Sequence, residues 1–312
     1  MDSRRNKLSA IAALLASALI IGFSLVILKI GLVHAPPFTL LADRLIVAFA
    51  AIVLLKQLQL IQTDTIQPVQ KKKLFLLALL YPSAFFLLQN FGLNLITASE
   101  AAIIYSLIPV VTTVASALLL HEKTTRVQQI GIGLSILGMA YIAFYSFQGV
   151  SDSVSGYLLI LSSLLAISLY YVFLKKSVSG ISTLTVTYYL MCYGTLVTVI
   201  FYIIWILING NLPSLQRFTQ LPYFLSILYL GILSTLGTSL LITIGVRKLS
   251  PVQASIFNNM SPVFGILAGV LFMGDALERH HLIGAFGIFL GVFISLKYVP
   301  VSGTRSSYRQ KT

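Results

Sequence analysis

The sequence predicts an all-α integral membrane protein in which ten transmembrane helices form two inverted five-helix repeats. Three observations lead to this fold class: the composition, the distribution of positive charge, and an internal repeat. Of the 312 residues, 57% are apolar and 9% are charged, whereas a soluble protein has about 25% charged residues. The sequence therefore has too few polar residues to cover a water-soluble globule.

The apolar residues fall into ten stretches, and each is close to the length that crosses a bilayer, about 20 residues. Proline-rich, polar or basic separators divide them, such as Pro36-Pro37 and Lys71-Lys72-Lys73. The first stretch is too long for the apolar region of a secretory signal, about 7–15 residues, so we expect it to be retained. The predicted spans are 8–33, 38–56, 72–94, 98–120, 127–147, 154–174, 184–208, 222–246, 251–273 and 281–298.

Lysine and arginine lie almost entirely on one side of this arrangement, which explains the net charge of +13 without a nucleic-acid partner. Of the 21 Lys and Arg residues, 17 fall on the side of the N-terminus, two (Arg217 and Arg279) fall on the other, and two (Lys29 and Arg44) fall within or beside spans. Such an excess marks the cytoplasmic side of membrane proteins. We therefore expect both termini, including a tail at 299–312, to be cytoplasmic in a bacterial plasma membrane.

A shift of 153 residues places the second half of the sequence on the first without a gap. The aligned pairs include a proline, an acid and three glycines: Pro109–Pro262, Glu122–Asp275, Gly92–Gly245, Gly131–Gly284 and Gly138–Gly291. The predicted units are 8–147 and 154–298, each with five helices. Because five is odd, the two units enter the membrane from opposite sides, as do the inverted repeats of many secondary transporters.

Two segments resemble the EamA domain of the drug/metabolite transporter superfamily. They are TASEAAIIYSLIPVVTTVASALLL with the HEKTTRVQQIGIGLSILGM that follows, at 97–139, and the segment at 249–292. PPFTLLADRLIVA, at 36–48, is similar to the start of that family's second helix. The resemblance covers residues 8–298. It implies a carrier of small molecules, such as amino acids, metabolites, nucleosides or toxic cations, without choosing among them.

Polar groups and prolines inside the spans mark a candidate substrate cavity between the units. In the first unit, Glu100, Tyr105 and Pro109 are spaced by four or five residues, so they can share one helical face. Their equivalents in the second unit are Gln253, Asn258 and Pro262. Each proline is expected in mid-helix, where it removes a backbone hydrogen bond. The alternative is that these polar groups only bond neighbouring helices and that the prolines only shape the packing.

A second candidate site is a cluster of charges at the predicted outer end of the first unit. It comprises Lys29, Asp43 and Arg44, with Glu100 nearby. Charges in the hydrocarbon are costly and usually functional. The cluster is therefore a candidate outer gate or substrate-charge site, and Glu100 a candidate carrier of a coupling proton. Local pairing and snorkelling to the lipid headgroups is the alternative.

The sequence contains no catalytic, metal-binding, cofactor-binding or nucleotide-binding motif. We therefore predict a secondary transporter, not an enzyme, that exports amino acids or related compounds by alternating access. Its expected partners are a small-molecule substrate and the lipid bilayer, and its oligomeric state is not indicated. Two alternatives stay open: a channel, which would need a continuous polar stripe, and a membrane-embedded enzyme, which would need a catalytic constellation.

Overall fold

The computed structural model describes residues 2–96, 101, 104–122, 124–145, 153–177, 180–210, 214–273 and 277–297. In these ranges the chain is helical and has no strand, which confirms the all-helical class. One helix lies at each predicted span: α1 (Asp2–His34), α2 (Pro37–Gln57), α3 (Pro68–Leu95), α4 (Ile108–Leu120), α5 (Arg126–Tyr145), α6 (Val154–Ser177), α7 (Thr183–Asn209), α8 (Leu221–Lys248), α9 (251–273) and α10 (Arg279–Lys297). A short 3₁₀ helix, Leu215–Thr219, precedes α8.

Six helices in the described ranges are long and apolar enough to cross a membrane: α1, α2, α3, α6, α7 and α8. Two others, α4 and α10, contain shorter apolar stretches. These features are those of a multi-pass membrane protein. The number of ten spans stays a prediction.

The third helix of each unit contains a π-helical segment, at Leu79–Ala84 in α3 and at Tyr229–Gly237 in α8. Shifting α3 by 153 residues reproduces both ends of α8 and the end of its π segment. In α3 the cause is local, because a residue before proline is disfavoured in the α region, and Tyr81 has φ −144° and ψ 124°. π segments are rare and often lie at functional sites.

The two repeated prolines lie where a helical segment begins, not in mid-helix as expected. Pro109 is in the first turn of α4. In α9 a 3₁₀ segment, Phe257–Met260, separates Pro251–Ile256 from Ser261–Met273, and Pro262 is the second residue of the last piece. A proline costs no hydrogen bond in a first turn, because the N–H there has no helical partner.

Helices α5 and α10 pack closely through glycines that are equivalent in the two units. A Cβ atom built on Gly131 would lie 2.6 Å from the carbonyl oxygen of Gly291, and one on Gly138 would lie 2.6 Å from that of Gly284. Residue numbers rise on one helix as they fall on the other, so the pair is antiparallel. Exchanging the equivalent residues converts the first contact into the second. The pair therefore has a local two-fold axis perpendicular to its helices.

The first helices of the two units follow a different shift, of 146 residues. Four identical pairs establish it: Ser17–Ser163, Ile21–Ile167, Leu28–Leu174 and Lys29–Lys175. Six of the seven residues by which this shift differs from 153 are taken up in the second helices, because α7 has 27 residues and α2 has 21. Since an α-helix has about 3.6 residues per turn, a change of seven residues is close to two whole turns.

Candidate functional site

A cavity lies between the two halves of the molecule, among α1, α3, α6, α8, α9, the start of α4 and the residues just before it. Its volume is ≈ 70 Å³, enough for several waters or part of a small solute, since one water needs about 10–15 Å³. Eight pairs of equivalent residues line it: Ile21–Ile167, Leu25–Tyr171, Tyr81–Ser234, Phe85–Thr238, Gln89–Ile242, Tyr105–Asn258, Ser106–Asn259 and Ile108–Ser261. The cavity is therefore built by corresponding parts of both units.

The two units bring different chemistry to these corresponding positions. The first unit has aromatic rings at three of them, and the second has small polar side chains: Tyr81–Ser234, Phe85–Thr238 and Tyr105–Asn258. Two pairs differ from this pattern: at Leu25–Tyr171 the second unit has the aromatic ring, and at Gln89–Ile242 the first unit has the polar side chain. The cavity thus combines aromatic faces with hydroxyl and amide groups, as small-molecule sites commonly do.

Most polar groups of the cavity wall hold one another in place. The Tyr105 Oη lies 2.6 Å from Ser163 Oγ, and the Asn258 Nδ2 donates to Tyr171 Oη at 3.0 Å. Asn259 and Ser261 differ, because neither the Ser261 Oγ nor the Oδ1 and Nδ2 of Asn259 have a partner among the described residues, and Asn259 is 1% exposed. An unpaired buried polar group costs about 1–3 kcal/mol, so this amide favours a polar solute group or a water in the cavity.

Arg44 lies directly behind the cavity wall and is 2% exposed. Its Nε donates to Thr235 Oγ1 at 2.5 Å, and its Nη2 donates to Ser234 Oγ at 2.9 Å. The guanidinium carbon is 3.6 Å from the centroid of the Phe86 ring. Ser234 and Phe86 both line the cavity. One layer of side chains therefore separates this positive charge from the cavity.

Asp43 points away from Arg44 and pairs across the two halves. It accepts from Arg217 Nε at 2.8 Å and Nη2 at 3.1 Å, and from Tyr223 Oη at 2.6 Å. Lys29 is exposed on α1. The structure does not bring the predicted cluster of Lys29, Asp43 and Arg44 together, because successive residues of a helix point about 100° apart. We refer to the contact of Asp43 with Arg217 and Tyr223 as the Asp43 contact.

A related contact joins the loop between α2 and α3 to the start of α7. Asp64 is the equivalent of Arg217 under the 153-residue shift, and it precedes α3 as Arg217 precedes α8. Its carboxylate accepts from the backbone N–H of Ser182 at 2.7 Å and from Thr185 Oγ1 at 3.1 Å, at the start of α7. Hydrogen bonds from Ser182 lower the pKa of the Asp64 carboxyl below its ordinary value. We call this the Asp64 contact.

The predicted cavity residues fall into three groups. Tyr105, Asn258 and Pro262 line the cavity. Pro109 does not, although its neighbour Ile108 does. Glu100 lies outside the described residues.

Gln253 is buried at the start of α9, where it forms a capping box with Ser250. Its Oε1 accepts from the Ser250 N–H at 3.1 Å, and its own N–H donates to Ser250 Oγ at 3.2 Å. This pairing satisfies two backbone donors that a helix start leaves unpaired. Gln253 therefore caps α9 and does not line the cavity in this structure.

Sequence reasoning did not select Tyr81, Phe86 or Ser234 for the site. Each lies in or beside a π segment, which a search for regular helical faces does not detect. One signal was available: the 153-residue shift places Tyr81 on Ser234, a polar residue in an apolar span in both units.

Comparison with known proteins agrees with this architecture. The chain matches the EamA-like transporter family over residues 8–144 and 154–297. It is 34% identical over 294 residues to the uncharacterized transporter YcxC of Bacillus subtilis (strain 168), covering 90% of each chain. It is 27% identical over 225 residues to an uncharacterized transporter of Archaeoglobus fulgidus, covering 72% of this chain and 77% of the other.

A solved crystal structure has the same fold, with a TM-score of 0.72 over 94% of this chain and 96% of the other. Its sequence identity of 16% limits that likeness to the fold. The family match covers most of the sequence in two copies, and it confirms the family that the resemblance of residues 97–139 and 249–292 predicted. The chain therefore belongs to the EamA-like transporter family.

Proposed function

We propose that this member of the family is a secondary transporter that exports amino acids or related small metabolites by alternating access. The observation that carries the proposal is the cavity lined by equivalent residues of both units. If the two units exchange conformations around such a site, an opening toward one side of the membrane becomes an opening toward the other.

The proposal includes ten spans, two inverted repeats and cytoplasmic termini in a bacterial plasma membrane. The antiparallel, two-fold contact between α5 and α10 supports the inversion, because parallel repeats would place equivalent helices in the same direction. The matched limits of α3 and α8 support the duplication. The positive-charge bias of the connections supports the orientation.

In this topology the Asp43 contact lies at the outer end and the Asp64 contact at the inner end. Each joins a loop of one unit to the second helix of the other. Each therefore resists separation of the units at its own end. Alternating access requires that one contact part while the other holds.

Proton coupling belongs to the proposal through Glu100, whose repeat equivalent Gln253 is neutral. A carboxyl group that leaves and re-enters water during a cycle can change its proton occupancy. The substrate is a small solute, and no catalytic role is proposed.

The test is flux through purified protein in liposomes, measured with a mixture of radiolabelled amino acids. A carrier gives saturable flux that unlabelled amino acid on the opposite side accelerates. Flux that rises in proportion to concentration, with no such counterflow, would indicate a channel. Cells lacking the protein should also accumulate more of the transported amino acid than cells containing it, whereas lower accumulation would reverse the proposed direction.

A further inference from the structure

We infer that Arg44 binds the carboxylate of the transported solute, so that the cavity selects small 2-amino or 2-hydroxy carboxylates with an apolar or aromatic remainder. This inference rests on the proposed transport function and specifies its substrate.

The first step is the position of the charge. Arg44 is seven residues beyond Pro37, or about 10 Å along the axis of α2 from its start. Its side chain is 2% exposed, and its head is bound by Ser234 and Thr235 of α8, so its charge is held inside the protein. A charge held inward at that depth is costly and is retained where it has a function.

The second step is the missing counter-charge. Asp43, its neighbour in sequence, is engaged by Arg217 and Tyr223. Among the described residues no carboxylate lies within 4.0 Å of the Arg44 guanidinium. Two of its five N–H donors bind hydroxyl groups, and these leave the charge without a carboxylate partner among the described residues. A carboxylate fits the remaining planar fork by paired hydrogen bonds.

The third step is access from the cavity. Ser234 and Phe86 both touch Arg44 and both line the cavity. The hydroxyl of Ser234 therefore occupies a place that a solute carboxylate can take by displacing it. Ser234 lies in the π segment of α8, where Thr238 Oγ1 donates to the Ser234 carbonyl oxygen at 2.5 Å. Its side chain can rotate while this bond holds its backbone.

The cavity also provides groups that fit the rest of the solute. The rings of Tyr81, Phe85 and Tyr105 provide an apolar wall. The unpaired amide of Asn259 offers both an acceptor and a donor. An ammonium can bind its Oδ1, and a hydroxyl can bind either atom. These groups together match a carboxylate that carries one polar substituent and an apolar side chain.

The test uses three probes that differ only in charged groups: phenylalanine, 3-phenyllactate and phenylalaninamide. Flux of each is measured in liposomes for the wild type and for Arg44→Gln, Arg44→Lys and Lys29→Gln. We expect the wild type to transport both acids at least tenfold better than the amide. Arg44→Gln should lower the flux of the acids by about 10- to 100-fold, since a hydrogen bond to a charged group contributes about 1.5–3 kcal/mol, and should lower the flux of the amide by a much smaller factor.

The ratio of acid to amide separates recognition from structural damage. Arg44→Lys keeps the charge but loses the fork, so the acids should fall several-fold and the amide should not. Lys29→Gln removes an exposed charge and should match the wild type. Variants that fold, by their melting in detergent, and keep the wild-type ratio would overturn the inference, as would a wild type that prefers the amide. Both results leave the transporter proposal intact. If neither these probes nor the amino-acid mixture gives saturable flux, the proposed function fails and the inference fails with it.

Discussion

The α5–α10 contact and the central cavity are both built from equivalent parts of the two units, but they use the equivalence differently. At the α5–α10 contact the positions of closest backbone approach hold the same residue in both units, as in Gly131–Gly284 and Gly138–Gly291. In the cavity most paired positions hold different residues, such as Tyr105 and Asn258. A symmetric framework lets the two units exchange conformations, while an asymmetric lining gives an asymmetric solute one preferred orientation.

The largest expected effect follows from the symmetric contact. Gly138→Leu adds a side chain where a Cβ atom alone would lie 2.6 Å from the Gly284 carbonyl oxygen and 2.8 Å from the Ile288 nitrogen. Overpacking costs about 1–3 kcal/mol and more where backbone must move. We expect a large drop in melting temperature and in the yield of folded protein. Gly133→Leu on the same helix is the control, because a Cβ there meets nothing within 4 Å; equal damage from both would refute the close packing.

The second prediction concerns the equivalent pair Glu100 and Gln253, in which only the first member can carry a proton. Glu100→Gln should abolish proton-driven net export but leave exchange of substrate for substrate largely intact. Both modes are measured in liposomes with equal amounts of protein. Normal pH-driven export by the variant would remove Glu100 as the coupling residue.

The third prediction separates a cavity residue from a capping residue. Asn259→Ala should weaken transport about tenfold, as loss of one buried hydrogen bond of about 1.4 kcal/mol would. It should preserve or raise the melting temperature, because the buried amide has no protein partner in the described residues. Gln253→Ala should instead lower the melting temperature, since losing a helix cap costs about 1 kcal/mol. It should leave transport nearly unchanged. Equal losses of transport in the two variants would contradict the assignment of Asn259, and not Gln253, to the cavity.

The smallest expected effect concerns the Asp64 contact, which lies in an exposed loop. Its lowered pKa means that the folded state holds the carboxylate more strongly than the unfolded state does. The stabilisation is therefore present above the ordinary value of 3.8 and is lost as the pH falls through the lowered pKa. Between pH 7 and pH 3, the melting temperature of Asp64→Asn should fall slightly less than that of the wild type. A difference that appears between pH 5 and pH 7 would contradict this assignment.

The sequence predicted the positions of the helices well because apolar spans must satisfy their backbone hydrogen bonds internally. It also placed Tyr105, Asn258 and Pro262 together, since a common helical face follows from residue spacing. It could not separate Asp43 from Arg44. Arg44 faces α8 and Asp43 faces Arg217 in the loop before α8. The local sequence pattern of α2 does not show which neighbour each side chain meets.

Two further features were hidden for physical reasons. The π segment of α8 is bound by a residue of another helix, through the bonds of Arg44 to Ser234 and Thr235, and contacts of this kind do not appear in the local sequence. The first helices of the units align only after a change of shift from 153 to 146, because α7 is longer than α2. A single ungapped shift therefore misses the equivalence of Leu25 and Tyr171.

The most direct test of alternating access asks from which side one cavity position can be reached. Ser24 lines the cavity, and Ser24→Cys is a conservative change that can be made after Cys192→Ser removes the single native cysteine. Two variants each carry one further pair of cysteines, at positions 43 and 217 or at positions 64 and 182. A bifunctional thiol reagent first joins this pair, while substrate shields position 24 in the cavity. An impermeant thiol reagent is then added to vesicles of each orientation.

With the 43–217 pair joined, the cysteine at position 24 should react only from the cytoplasmic side; with the 64–182 pair joined, only from the outer side. Reaction from both sides at once, or from the same side in both cases, would contradict a cavity that opens alternately.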